Sequence, residues 1–158
     1  MIGLCRRAII GGATLLAVSL SSLGIPRTFA QTAPDYAALL ATPDRSDADR
    51  AADKRRDPVP FLAFAGLMAG MKVLDMGAGA GYSTELVARA IGPTGTVYGQ
   101  NPPDNFERAR NAFAERAATP AMKNSLAVVR PYDDPLPADL RGLDMITYLF
   151  FYITTPPT

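Results

Sequence analysis

The chain has no histidine and a single cysteine. Without imidazole it lacks the side chain that most often moves protons near neutral pH. Histidine-based triads and histidine-ligated metal sites are excluded with it. The cysteine, Cys5, precedes a long uncharged run rather than ending it, so it does not read as a lipid-modified residue. Beyond it there is no thiol to act as a nucleophile or to form a disulfide, which suits an oxidising compartment. No excess of either charge stands out: 16 basic residues face 15 acidic ones, a net charge of +1. Nothing in that balance points to nucleic acid. Internal repeats and low-complexity runs are also missing.

What is present begins with a leader-like segment over residues 1–30. Arg6 and Arg7 stand before AIIGGATLLAVSLSSLGI, which carries no charge, and Thr28 and Ala30 then flank Phe29 ahead of Gln31. A charged start, an apolar middle and small residues at the end are the order of a secretory signal peptide. The competing reading is an uncleaved membrane anchor, because the uncharged run Ala8 to Pro26 is 19 residues, near the lower limit for a span. The glycines and serines in the run and the small-residue site favour cleavage. The expected location is therefore exported, periplasmic or secreted, with membrane contact only through the signal. A twin-arginine reading of Arg6-Arg7 is weak, since no Phe-Leu-Lys-like continuation follows. Removing Arg6, Arg7 and Arg27 leaves 13 basic residues against 15 acids in residues 31–158, a net charge of −2.

Residues 31–57 read as a lead-in followed by a helix. A short helix is expected near Tyr36 to Leu40. Ser46 has the chemistry of an N-cap, with Asp47 and Asp49 in the first turn of SDADRAADKRRD. That helix should stop before Pro58, because the residue before proline avoids the helical region. Its charges, Arg55 and Arg56 among them, read most simply as a solvated face. Phe61 to Leu67 is an apolar helix that Gly70 is placed to cap.

Residues 58–158 then alternate strands and helices. Lys72 to Met76 is a buried strand, Ser83 to Ile91 a helix ended by Gly92-Pro93, and Gly95 to Gly99 a second strand. Asp104 to Ala117 is a helix with its acids and arginines outward, Leu126 to Val129 a third strand and Leu143 to Phe150 a fourth. This alternation predicts parallel βαβ units and an α/β fold.

The informative stretch is VLDMGAGAGYSTELVARAIG, residues 73–92. An apolar strand runs into Asp75, then into Gly77, Gly79 and Gly81 at alternate positions, then into a helix. Glycines there accept unusual backbone angles and let a ligand lie on the main chain. The helix that follows turns its N–H groups to the same place. A Walker loop needs Gly-Lys-Ser/Thr, and here Gly81-Tyr82-Ser83 stands instead. A dinucleotide fingerprint needs glycine where Tyr82 is, and an acid at the end of the second strand, where Gly99-Gln100-Asn101 stands. The bland alternative is a glycine-rich turn that only packs closely.

These residues resemble motif I of the class I S-adenosylmethionine-dependent methyltransferases. More narrowly, the Asp/Arg-rich helix, LAFAGLMAGMKVLDMG and VYGQNPP resemble a group of exported proteins read as methyltransferases, over roughly residues 35 to 152. The resemblance implies a Rossmann-like fold and S-adenosylmethionine as cofactor. Gly77, Gly79 and Gly81 would surround its methionine part, and Asp75 would hold its amino group, directly or through water. Gln100 or Asn101 would meet the ribose hydroxyls, where most of the superfamily has an acid. Asp133 or Asp134 would lie near the adenine, a solvated turn being the equal alternative. Tyr148 and Tyr152 would face the methyl group or the substrate, unless they serve packing. Methyl transfer needs no dedicated catalytic residue, since the sulfonium is a good leaving group and holding the acceptor in line supplies much of the rate. The acceptor, the catalytic residues and any metal are therefore not named by the motif.

The resemblance also implies seven strands in the order 3-2-1-4-5-7-6. Four are expected here, giving a partial sheet 3-2-1-4 with strands 5–7 missing. The fourth strand is then an open apolar edge that invites self-association. ITTPPT, residues 153–158, continues neither strand nor helix because of Pro156-Pro157. Its codons, read two nucleotides later, permit His-Asp-Thr-Thr, and the resembling group often has Tyr-His-Asp at this point. The expectation is a frameshift after Tyr152. Two functions stand: a methyltransferase or its cofactor-binding half, and a non-catalytic ligand-binding remnant of the same fold.

Overall fold

The computed structural model describes residues 33–148. The leader-like segment 1–30, Tyr152 and the tail 153–158 lie outside these residues. The chain begins with α1 (Tyr36–Leu40), α2 (Asp47–Arg56) and α3 (Pro58–Ala65), and continues with β1 (Lys72–Met76) and α4 (Tyr82–Ile91). Then come β2 (Thr96–Asn101), α5 (Glu107–Ala117), a 3₁₀ turn at Pro120–Met122, β3 (Ser125–Val129) and β4 (Met145–Tyr148). The four strands form one parallel sheet in the order β3-β2-β1-β4.

Local chemistry sets the element ends. The Ser46 hydroxyl accepts from the Asp49 N–H at 3.1 Å and caps α2. Asp57 takes the left-handed conformation that separates α2 from Pro58, which opens α3 at its first position. Gly66, with φ +62°, ends α3, so the cap falls four residues before the expected Gly70. β2 runs through Gln100 and Asn101 rather than stopping at Gly99, because both continue the parallel ladder to β3.

The core lies between the sheet and the helices on one of its faces. Leu62, Leu67, Val73, Leu86, Val87, Ile91, Val97 and Met122 are all at most 1% exposed. Burying each such side chain contributes about 1.5–3 kcal/mol relative to leaving it in water. α1 joins this core through Tyr36, whose hydroxyl donates to the Leu67 carbonyl at 3.0 Å. Gly99 admits Phe113: a Cβ there would stand 2.6 Å from the Phe113 ring. On the other face the register lines up Leu126, Tyr98, Leu74 and Ile146 across the sheet. Leu74 is buried, while Leu126 and Ile146 at the ends of the row are 53% and 55% exposed.

One expectation is corrected by the packing. The charges of α2 are only in part a solvated face: Asp47, Lys54 and Arg55 are exposed, but Asp49 is drawn into an ion-pair network. Asp49 and Ala52 are buried, and the Arg45 side chain is 1% exposed. Arg45 holds Asp53 with two bonds of 2.8 and 3.0 Å, while Arg116 holds Asp49 with two of 2.8 and 3.1 Å and also pairs with Glu85. Arg89 joins Glu85 to Asp44. Arg116 thus points inward from α5, where outward arginines were expected. Neutralisation across three helices allows these charges to be buried, and no spacing rule within one helix foresees it. Arg55 bonds only the Ala51 carbonyl among the contacts described, and Arg56 lies over the Tyr82 ring at 4.9 Å.

Candidate functional site

In an open parallel sheet ligands lie beyond the carboxyl ends of the strands, where the chain reverses its direction of winding. Here that point lies between β1 and β4, since β1, β2 and β3 are laid down one way and β4 the other. The turn after β1 carries the three glycines. Gly77, Gly79 and Gly81 have φ of +66°, +55° and +85°, angles that a side chain strains to adopt. A Cβ on Gly81 would press on Phe113 and Arg116 at 3.1 Å, so that glycine serves packing. A Cβ on Gly79 would meet only the Gly77 carbonyl, at 3.9 Å, so the main chain at Gly79 faces open space.

Asp75 sits beneath the turn, not in it. It is 0% exposed. Its carboxylate accepts from the hydroxyls of Ser83 at 2.8 Å, Thr84 at 2.7 Å and Thr147 at 2.9 Å. Burial raises its pKa, and the three hydroxyls oppose that rise. The side chain therefore ties the start of α4 to β1 and β4. Burial and three hydroxyl donors make Asp75 a residue that shapes the turn from below. Ser83, Thr84 and Thr147 were not read as site residues. Ser83 and Thr84 in the first turn of α4 were the legible signal, while Thr147 arrives only through the β1–β4 register.

Gln100 and Asn101 close on the same turn. The Gln100 side chain, 0% exposed, accepts from the Gly77 N–H at 3.1 Å and donates to the Arg130 carbonyl at 2.6 Å. The Asn101 side chain accepts from the Gly79 N–H at 2.8 Å and donates to the Gly79 carbonyl at 3.1 Å. The Ala78 N–H bonds the Gln100 carbonyl, and the Gly81 N–H the Ala78 carbonyl. So the structure brings Gly77, Gly79, Gln100 and Asn101 together, and their first partners are one another.

Asp133 is exposed on the β3–β4 connection. Its neighbour Asp134 pairs with Arg130. Tyr148, 55% exposed at the end of β4, stands edge-on to Tyr132 with ring centres 6.3 Å apart. Burial, then Tyr148 and Asp104, push the Tyr132 hydroxyl above its ordinary pKa. Behind the turn Tyr82 donates to Asp53 at 2.6 Å, between Arg45 and Arg56, and burial followed by Asp53 raises its pKa. Arg116 also reaches the turn, donating to the Ala80 carbonyl at 3.2 Å. A cleft of about 490 Å³ lies on this helix side, between Asp49, Ala80, Glu85 and Arg116. It is lined by the ion pairs rather than by the strand ends, so the site is argued from the turn.

The turn fits a small ligand laid on the open main chain at Gly79, with Asn101 at its rim.

Residues 59–123 match the model of the protein-L-isoaspartate (D-aspartate) O-methyltransferase family. A comparison with curated proteins gives no match. Among solved structures, a protein-L-isoaspartate O-methyltransferase is 22% identical, with TM-score 0.49, over 56% of this chain and 27% of that one. A SAM-dependent methyltransferase from Aquifex aeolicus is 28% identical, with TM-score 0.48, over 65% of this chain and 56% of that one. The chain thus spans only about a quarter to just over half of their length. The four-stranded order β3-β2-β1-β4 with the glycine turn at its switch point is a Rossmann-like fold of the class I methyltransferase kind, and the match to a methyltransferase family model lies over residues 59–123 of it.

Proposed function

We propose that this chain is the cofactor-binding half of a methyltransferase that transfers a methyl group from S-adenosylmethionine to an acceptor. The observation that carries this is the three-glycine turn, open at Gly79 and placed at the carboxyl end of β1 beside β4. Bound S-adenosylmethionine supplies an electrophilic methyl on a sulfonium, which leaves as a neutral thioether. In this reading the residues of the chain bind and orient. Gly79 gives main-chain contact, Asn101 borders the ligand, and Asp75 holds the turn in shape through Ser83, Thr84 and Thr147. Asp133 would lie near the adenine and Tyr148 near the acceptor, as the resemblance implies. The family match makes a carboxylate on an isoaspartyl peptide the first acceptor to try.

Isothermal titration with S-adenosylmethionine tests binding, and transfer of labelled methyl to an isoaspartyl peptide tests catalysis. Binding with transfer supports the enzyme. Binding without transfer to any acceptor class favours the second reading, a non-catalytic ligand-binding protein of the same fold. One observation speaks for that reading: the N–H groups of Gly77, Ala78, Gly79 and Gly81 are all taken within the protein. No binding removes both.

Export belongs to the same proposal and rests on the pattern of residues 1–30. N-terminal sequencing of the secreted protein should begin at Gln31, and an intact leader would refute cleavage.

A further inference from the structure

The residues matched to the family model, 59–123, carry the glycine turn, yet α2 lies ahead of them at Asp47–Arg56 and still reaches it. α2 is not docked as an amphipathic helix. Its buried residues are Asp49 and Ala52, so a carboxylate stands where such a helix would place an apolar side chain. Asp49 and Asp53 are one helical turn apart and share a face. Asp53 accepts from the Tyr82 hydroxyl at 2.6 Å and is itself held by both Nη atoms of the buried Arg45. Asp49 holds the Arg116 guanidinium, whose Nε donates to the Ala80 carbonyl at 3.2 Å. The stem of the same arginine packs on the turn: a Cβ on Gly81 would stand 3.1 Å from its Cδ. Ala80, Gly81 and Tyr82 are consecutive, and all three are gripped from the helix side by groups anchored on α2. The Arg45 and Arg56 guanidinium groups stand 5.8 and 4.9 Å from the centre of the Tyr82 ring, which holds the ring as well as its hydroxyl.

We propose that α2 is a positioning element of the ligand site: Asp53 through Tyr82, and Asp49 through Arg116, set where Ala80, Gly81 and Tyr82 stand, and with them the join between the turn and α4. The chemistry favours position over stability. A buried ion pair recovers little more than the cost of taking its charges out of water, so an apolar face would dock α2 at least as firmly. What the carboxylates add is direction, since a hydrogen bond fixes distance and angle while apolar burial is non-directional. A turn held in one geometry binds with the affinity of that geometry. A turn that samples several binds more weakly, by the fraction that is competent. None of these side chains needs to touch the ligand. This inference rests on S-adenosylmethionine as the ligand of the turn, and it extends the site to residues outside the family match.

The test is titration of the full chain with S-adenosylmethionine, as the parent, Tyr82→Phe, Asp49→Asn and Tyr36→Phe. Urea midpoints and hydrogen exchange at the Gly81 amide without ligand are measured on each. Tyr82→Phe removes only the hydroxyl and leaves Asp53 paired with Arg45. Asp49→Asn keeps the side-chain volume and leaves Arg116 on Glu85. Tyr36→Phe deletes a matched hydroxyl from the core, one bonded to the Leu67 carbonyl rather than to α2 or the turn. Loss of a hydrogen bond to a charged group sets the expected change at about tenfold weaker binding for Tyr82→Phe. Asp49→Asn should weaken it roughly threefold, because Glu85 still holds the arginine. Both should exchange the Gly81 amide faster than the parent. Tyr36→Phe should lower the urea midpoint and leave affinity and Gly81 exchange at parent values. Unchanged affinity in Tyr82→Phe and Asp49→Asn, or an equal loss in Tyr36→Phe, overturns the inference while the cofactor reading stands: α2 then serves stability alone. A parent that does not bind removes the cofactor reading. The exchange rates then decide the grip: acceleration in Tyr82→Phe and Asp49→Asn but not in Tyr36→Phe upholds it, and equal rates overturn it.

Discussion

Asp75 shows how one buried residue can hold a turn in shape. Its carboxylate collects three hydroxyls from two elements in a place water does not reach. Asp75→Ala leaves those hydroxyls buried without their acceptor and should destabilise the protein by about 2–3 kcal/mol in urea unfolding. Its titration adds a second prediction. The folded-state pKa is raised, so the folded chain holds this proton to a higher pH than the unfolded chain does. The contribution of Asp75 is most favourable at acid pH and declines as pH rises from the ordinary carboxylate range through the raised value. Asp75→Asn removes the group that titrates. Its stability relative to the parent should improve as pH rises through that window, measured by urea midpoints from pH 4 to 8. A constant difference would show that Asp75 keeps an ordinary pKa.

Between elements the ion pairs decide how α2, α4 and α5 meet. Burial alone would raise the pKa of Asp49, but Arg116 and Ser46 outweigh it and hold the carboxyl below its usual range. Such a group stabilises the fold above the ordinary carboxylate pKa, and that share is lost as pH falls through the depressed value. Arg116→Ala leaves Asp49 and Glu85 buried without this partner. Because Arg116 is itself 21% exposed, the low end of the range for a broken buried pair applies, about 3 kcal/mol. The loss should be smaller near pH 3 than at pH 7, by thermal unfolding. The contact between β2 and α5 gives a steric counterpart. Gly99→Ala drives a methyl to 2.6 Å from Phe113 and should cost about 1–3 kcal/mol, with partial recovery on Phe113→Leu.

At the scale of the molecule, one face of the sheet is packed by helices while the other leaves Leu126, Ile146 and Tyr148 half exposed. β4 is short, four residues in the described chain, and its expected continuation Leu149-Phe150 lies outside the described residues. An apolar strand with exposed side chains is prone to pairing with another chain. Ile146→Lys should lower the apparent mass in light scattering if that face associates, and leave it unchanged if it does not.

Much of the architecture was legible because it is written in short-range pattern. The run Lys72-Val73-Leu74-Asp75-Met76, the alternate glycines and the helix closed by Gly92 each depend on neighbours a few residues apart, and all three stand where they were read. The parallel pairing followed from strands alternating with helices, whereas the order β3-β2-β1-β4 was implied by the resemblance to class I methyltransferases. The burial of Asp49 was not legible, because Asp49, Glu85 and Arg116 are 36, 31 and 67 residues apart pairwise and neutralise one another only after folding. The end of β2 was misread for a similar reason: Gln100 and Asn101 have polar side chains suited to a loop, and only pairing with β3 keeps them in the strand. The sequence by itself determined that a glycine turn follows a buried strand and opens a helix, since backbone freedom and hydrophobic periodicity are local properties. Only the tertiary structure decided that Asp75 lies beneath that turn and that Gln100 and Asn101 close it, since burial and hydrogen-bond partners are set by what packing brings within 3 Å.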